Sequence, residues 1–330
     1  MMDSEFNRNF ASLFHHIQPT MKERINQLKK QKNAIILAHY YTRPEVQEVA
    51  DFVGDSLALS QQAASTDADI ILFAGVHFMA ETAKILNPTK KVLIPDLTAS
   101  CSLADSCPEQ EFADFLKQYP GHTVLSYINC SAGVKALSDI IVTSGNALQI
   151  VNALPADEKI VFAPDWNLGS YINRMTGRDM VLWEGACHVH DQIQAQDVEQ
   201  LRRFHPSAQV IAHPECPEHV LQLADFVGST AAMLKHVAQS EQQEFVVVTE
   251  NGILYELRRQ NPDKKFYALS DANGKDGGDC ECANCKYMKY NTLENILSAL
   301  ENETPELVMD EQLMNASRRP IERMLEMSKK

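Results

Sequence analysis

The stretch Ala50-Asp51-Phe52-Val53-Gly54 returns letter for letter as Ala224-Asp225-Phe226-Val227-Gly228. A small hydroxyl residue follows each copy, Ser56 after the first and Ser229-Thr230 after the second. Working outward, His39–Ser56 aligns with His213–Thr230, and a third, more diverged copy, Tyr127–Ser144, lies between them. The offsets are 88 and then 86 residues throughout. Asp51, Asp139 and Asp225 form one column, Val46, Val134 and Val220 a second, and Ser56, Ser144 and Thr230 a third. Self-similarity at a fixed period marks a repeated structural unit, and missing it would misassign the fold.

A short apolar run precedes each copy: AIILA, TVLS and QVIA. Such runs fit strands covered on both faces of a parallel sheet. Beyond the hydroxyl column come an apolar-periodic segment, a further strand-like run (DIILFAG, KIVFAP or EFVVVTE), a helical stretch and a fourth run (KVLIP, MVLWE or KFYAL). The order βαβαβαβ, written three times, predicts an α/β fold: three homologous three-layer αβα domains with short parallel sheets in a pseudo-threefold arrangement. The expected division is an N-terminal extension over 1–19, repeats over 20–105, 106–190 and 191–300, and a C-terminal helical segment over 301–330.

A formal charge of −14 argues against a general affinity for nucleic acid or anionic membrane, so any anionic ligand must be held locally. The N-terminus, MMDSEFNRNF, lacks the basic and apolar regions of an export signal, and no apolar run reaches bilayer length. A cytoplasmic protein is expected. Its eight cysteines then read as core thiols, metal ligands or redox groups rather than a disulfide framework. There is no GxGxxG, GxxxxGK[ST], HExxH or GxSxG, so dinucleotide, P-loop, zinc-protease and α/β-hydrolase chemistries lack their motifs.

Ligands of parallel α/β sheets collect at the carboxyl ends of the strands. The first strand of each repeat is expected to end at His39, Tyr127 or His213, and two residues later stand Tyr41, Asn129 and Glu215. The second strand ends before Ser56, Ser144 or Thr230, expected as N-caps of the next helix, where unpaired N–H groups favour carboxylates or phosphate. One such hydroxyl alone would be no more than a cap. Three in register with three acid/base-capable pairs point to a site. The Asp51, Asp139 and Asp225 column reads instead as structural, a turn or capping carboxylate between helix and strand.

Cys101 and Cys187 lie 86 residues apart, a repeat length, so a threefold arrangement brings one thiol per repeat to a shared axis. The third is open among Cys280, Cys282 and Cys285. Three convergent thiolates suit an iron–sulfur cluster or zinc, and three ligands rather than four leave one iron open to substrate. Cys107, Cys130 and Cys216 fall outside this column and read as small core hydrophobes. A zinc-stabilised, non-catalytic small-molecule binding protein is the rival expectation, and an iron–sulfur hydro-lyase acting on another hydroxy acid a further one.

The segments AHYYTRPEVQEVADFVGDSLALS, AGVHFMAETAKIL, ASCSLADSCP, SYINCSAGVKALSDIIVTS, WEGACHVHD, AHPECPEHVLQLADFVGST and CANCKYM, in this order, resemble the quinolinate synthase A family across nearly the whole chain. The resemblance implies three α/β domains around a central [4Fe–4S] cluster. It also implies condensation of iminosuccinate with dihydroxyacetone phosphate to quinolinate, releasing phosphate and water on the route to NAD, with a functional link to an aspartate-oxidising enzyme. The cluster ligands it implies are Cys101, Cys187 and Cys285. Substrate contacts fall on His39, Ser56, Tyr127, Asn129, Ser144, His213, Glu215 and Thr230, and acid–base roles on Tyr41, Glu215, His39 and His213. One departure is the terminal spacing CxCxxC, with Asp279 where some relatives carry the first cysteine of CxxCxxC.

Overall fold

The structure, a computed structural model, describes residues 19–273 and 283–329; Cys280 and Cys282 lie outside the described residues. Twelve described strands form three four-stranded sheets, parallel throughout. The first sheet holds β1 (Ala34–His39), β2 (Phe52–Gly54), β3 (Ile70–Ala74) and β4 (Lys91–Leu93) in the order β2-β1-β3-β4. The second repeats that order with β5 (Thr123–Tyr127), β6 (Ile140–Val142), β7 (Ile160–Ala163) and β8 (Val181–Leu182). The third does so with β9 (Gln209–Ala212), β10 (Phe226–Val227), β11 (Glu244–Val248) and β12 (Lys265–Ala268). Helices flank each sheet, as the alternating pattern requires.

Register follows the sequence offsets. Leu37 pairs with Phe52, Leu125 with Ile140 and Ile211 with Phe226, each pair displaced from the last by the repeat length. The two ADFVG segments therefore supply equivalent edge strands. The apolar runs are buried because helices cover both faces: every residue of β3 is buried, as is every residue of β7.

The aspartate column has a single physical job. Asp51, Asp139 and Asp225 each accept the backbone N–H of Ile36, Val124 or Val210 through Oδ2 at 2.8 Å. Their own N–H groups donate to the carbonyls of the same three residues at 3.0, 2.9 and 2.8 Å. Each carboxylate thus clamps the start of the edge strand to the central strand and satisfies a donor that the short edge strand leaves unpaired. Asp139 isolates this clamp, since Asp51 and Asp225 also pair with Lys29 and Arg202. Asp139→Ala is expected to destabilise the chain by about 1–2 kcal/mol in denaturant melts, with Asp139→Asn, which keeps an acceptor oxygen, losing less. Equal stability of the alanine variant and the parent would remove the clamp from the account.

Two helices near the end of the chain bind the repeats together. Ile296, Ala299 and Leu300 of the helix Leu293–Asn302 pack with Ile25, Leu28 and Leu72 in the core of the first repeat. The helix Glu311–Met327 buries Met314, Ile321 and Met324, and its Ser317 hydroxyl donates to Ala132 O at 2.8 Å while Arg318 reaches Ile85 O. Its apolar face is thus covered by the first and second repeats, as an amphipathic helix requires. Among the described residues no helix is long and apolar enough to cross a membrane.

Candidate active site

In each sheet the first strand is central and the chain winds away from it in opposite directions, which opens a crevice beyond the carboxyl ends of the two middle strands. The three crevices face one another around a shared cavity. His39, Tyr41, Ser56, Tyr127, Asn129, Ser144, His213, Glu215 and Thr230 all line it, together with Cys101, Cys187 and Cys285. Val76, Phe78 and Met79 form an apolar stretch of its wall.

His39 and His213 share a local turn. Nδ1 of each accepts a backbone N–H two residues on, from Tyr41 at 3.1 Å and from Glu215 at 3.4 Å. An accepting Nδ1 assigns the ring proton to Nε2. Burial pushes both rings down to about 3, so they are neutral donors at physiological pH. Tyr127 holds the same place in the second repeat, and two residues on, in the column of Tyr41 and Glu215, the buried Oδ1 of Asn129 has no partner among the described residues.

Glu215 lies at the hub of a hydrogen-bonded chain. Oε1 accepts the Tyr127 hydroxyl, and Oε2 lies 3.0 Å from His190 Nδ1. His190 Nε2 meets Thr249 Oγ1 at 2.9 Å, Thr249 Oγ1 meets the Tyr41 hydroxyl at 2.9 Å, and that hydroxyl meets Thr230 Oγ1 at 3.0 Å. Burial opposes ionisation of Glu215, but the adjacent histidines and the bonds from His190 and Tyr127 outweigh it and hold the carboxyl at about 2. Because the His213 ring is itself neutral, we assign this effect to His190 and Tyr127. Burial, then the Glu215 charge, pushes the buried Asp165 carboxyl well above the carboxylate range, so the pair carries one negative charge. Burial drives the Tyr41 and Tyr127 hydroxyls well up, keeping them protonated. Sequence columns identify Tyr127, Glu215, Tyr41 and Thr230 in this chain but miss its two links, His190 and Thr249.

The hydroxyl column needs a correction. Ser56 and Thr230 are not N-caps but the first residues of their helices, Ser56–Ser65 and Thr230–Gln239. The caps are Asp55, accepting from Ala58 N at 3.0 Å, and Ser229, accepting from Ala232 N at 3.3 Å. Ser144 lies two residues before Asn146, the N-cap of the helix Ala147–Ala153. In Asp55-Ser56 and Ser229-Thr230 both residues are competent caps. The first leaves the strand and takes the extended backbone a cap requires, so the second is spared for the cavity.

The cysteines occupy one repeated piece of backbone. Each is the residue before a four-residue helix: Ser102–Asp105, His188–Asp191 and Lys286–Lys289. The approach to each is pinned by the same bond, from His77 N to Ala99 O at 2.8 Å, Trp166 N to Gly185 O at 2.7 Å and Asn251 N to Ala283 O at 2.8 Å. The N–H groups of Ala104, His190 and Met288, each three residues beyond its cysteine, support the sulfurs. Burial nevertheless pushes Cys101 up to about 12 and Cys285 up to about 11, and drives Cys187 well above the thiol range. Thiolates at this depth need a cationic centre among them. Among the described residues, the group whose donor atoms all lie within 4.8 Å of one another is Cys187, His190 and Glu215. Cys107, Cys130 and Cys216 are buried in the core away from the cavity, Cys107 and Cys130 with Phe112 and Cys216 beside Val220.

The family model described as quinolinate synthetase A protein matches residues 23–326. A quinolinate synthase of Synechocystis sp. is 54% identical over 304 residues, covering 92% of this chain and 94% of its own. One from Rippkaea orientalis is 55% identical over 304 residues, 92% of either chain. Another from Trichodesmium erythraeum is 50% identical over 325 residues, 98% of either chain. A match of this extent at this identity has one reading: the chain belongs to the quinolinate synthetase A family of enzymes.

Proposed function

We propose that this enzyme of NAD biosynthesis condenses iminosuccinate with dihydroxyacetone phosphate to quinolinate, releasing phosphate and water, with a [4Fe–4S] cluster on Cys101, Cys187 and Cys285. Membership in a family of enzymes sets aside the non-catalytic zinc-binding expectation. The observation that carries the proposal is the threefold cysteine turn: three sulfurs in equivalent backbone settings face one cavity that also holds the acid–base chain. Three thiolate ligands fit a cluster with one vacant iron position. Such a cluster supplies a Lewis acid toward a hydroxyl or carboxylate oxygen.

The chain's own residues do the rest. His39 and His213 present Nε2–H donors, and Asn129 an amide with an unused oxygen, to the carboxylates and the phosphate. Ser56, Ser144 and Thr230 add hydroxyls at the cavity wall. His39 and His213 can combine this binding with their expected acid–base role, because a ring that donates Nε2–H to a substrate oxygen is placed to pass that proton on. Proton movement falls also to Glu215, His190, Thr249 and Tyr41, whose contacts run unbroken from a carboxylate to a phenol. The apolar wall around Phe78 and Met79 limits water at a site where an imine would otherwise hydrolyse. Iminosuccinate itself would come from an aspartate-oxidising enzyme.

The test is direct. Protein purified without oxygen should be brown and should form quinolinate from the two substrates, and stripping its iron with a chelator should abolish both. Full activity in metal-free protein, or a colourless active protein with stoichiometric zinc, would overturn the assignment.

A further inference from the structure

Glu250 is a buried carboxylate that the relay above leaves unused. It stands two residues beyond the end of β11, the place that Asp165 takes beyond β7 and Val76 beyond β3. Oε1 accepts the Cys285 N–H at 3.0 Å and lies 2.9 Å from Lys289 Nζ, and Oε2 accepts the Gly252 N–H at 2.6 Å. Lys289 Nζ also donates to Tyr41 O at 2.6 Å, and Arg43 Nε donates back to Lys289 O at 2.8 Å. Gly252 sits so close that a Cβ there would lie 2.6 Å from Tyr41 Cα. One carboxylate and one ammonium thus join the start of the third cysteine's helix to the backbone that carries Tyr41, across the boundary between the third and first repeats.

We propose that Glu250 and Lys289 are positioning residues, a latch that holds the Cys285 sulfur and the Tyr41 hydroxyl, both at the cavity, in fixed mutual placement. A helix of four residues cannot hold its own first turn in place, so the cysteine depends on outside partners for its backbone position. Asp165 gives Cys187 the same support, whereas the first repeat folds with Val76 at this place. The fold therefore does not require a carboxylate here, which points to the site as its reason. Outer partners of this kind orient the ligands of a metal centre. The inference rests on the cluster assignment above.

The experiment follows the release of iron from anaerobic, cluster-loaded protein to a strong chelator, read as loss of visible absorption, alongside visible circular dichroism. Glu250→Gln places an amide NH₂ against one of two N–H donors and should release iron about tenfold to a hundredfold faster than the parent, with an altered visible dichroism. Lys289→Met, at the rim where folding is less at risk, should speed release several-fold (about threefold or more), and Lys289→Arg should restore the parent rate. Asp139→Ala, which weakens the fold at the amino end of the second sheet rather than at the cavity, should leave release unchanged. Parent-like release in both Glu250→Gln and Lys289→Met, or equal acceleration by Asp139→Ala, overturns the latch. If Glu250→Gln fails to fold, parent-like release in Lys289→Met alone overturns it. A parent protein that binds no cluster would defeat the functional proposal as well, so the two failures are distinguishable.

Discussion

Glu215→Gln should lower quinolinate formation by about a hundredfold to ten-thousandfold while the protein stays brown with the parent's iron content. Glutamine fills the same space and still accepts the Tyr127 hydroxyl, so the cavity keeps its shape. It cannot take a proton, and its NH₂ group can face His190 Nδ1, which interrupts the chain through Thr249 to Tyr41. Substrate should still bind, because His39, Asn129 and the hydroxyls are untouched, so the loss belongs in kcat more than in KM. Unchanged turnover would remove Glu215 from the chemistry. Loss of iron together with activity would mean something different: that Cys187, His190 and Glu215 act as a ligand set, which their mutual approach within 4.8 Å would permit.

Cys187→Ala should give a colourless protein that binds almost no iron and has no detectable turnover, whereas Cys107→Ala should keep its colour. Both thiols are pushed up by burial, so burial does not separate them. What separates them is setting. Cys187 begins a helix at the cavity, with the His190 N–H directed at its sulfur, and Cys107 packs against core residues such as Phe112. Two remaining cysteines cannot hold a cluster that already leaves one iron without a protein ligand. Full colour in Cys187→Ala, or loss of colour in Cys107→Ala, would require a different ligand set.

Residues that are polar at the same place in all three repeats were legible in the sequence, because a column comparison selects that property. His39, Tyr127 and His213, then Tyr41, Asn129 and Glu215, are of this kind, and all six line the cavity. His190 escaped because its counterparts, three residues beyond the other cysteines, are Ala104 and Met288. Thr249 escaped because its counterparts are Gly75 and Pro164, and Glu250 because one of its counterparts is Val76. A search for departures from the repeat, columns that mix polar and apolar residues, would have found them. The cap positions failed for another reason. Asp55-Ser56 and Ser229-Thr230 each offer two residues able to cap, and only the point where the strand ends chooses between them.

By itself the sequence determined the number of sheets, their parallel strands, the equivalence of the three repeats and the one cysteine per repeat that reaches the cavity in the first and second copies. These follow from short-range pattern: apolar runs, the carboxylate clamp and a fixed offset all act within a single repeat. Only the tertiary structure decided that Tyr41 of the first repeat, His190 of the second and Thr249 of the third form one hydrogen-bonded chain, and that Glu250 ties Cys285 to Tyr41. Contacts of that kind depend on how the three sheets are oriented toward one another. That orientation is set by packing between repeats and by the helix Glu311–Met327 across two of them, and no periodicity along the chain encodes it.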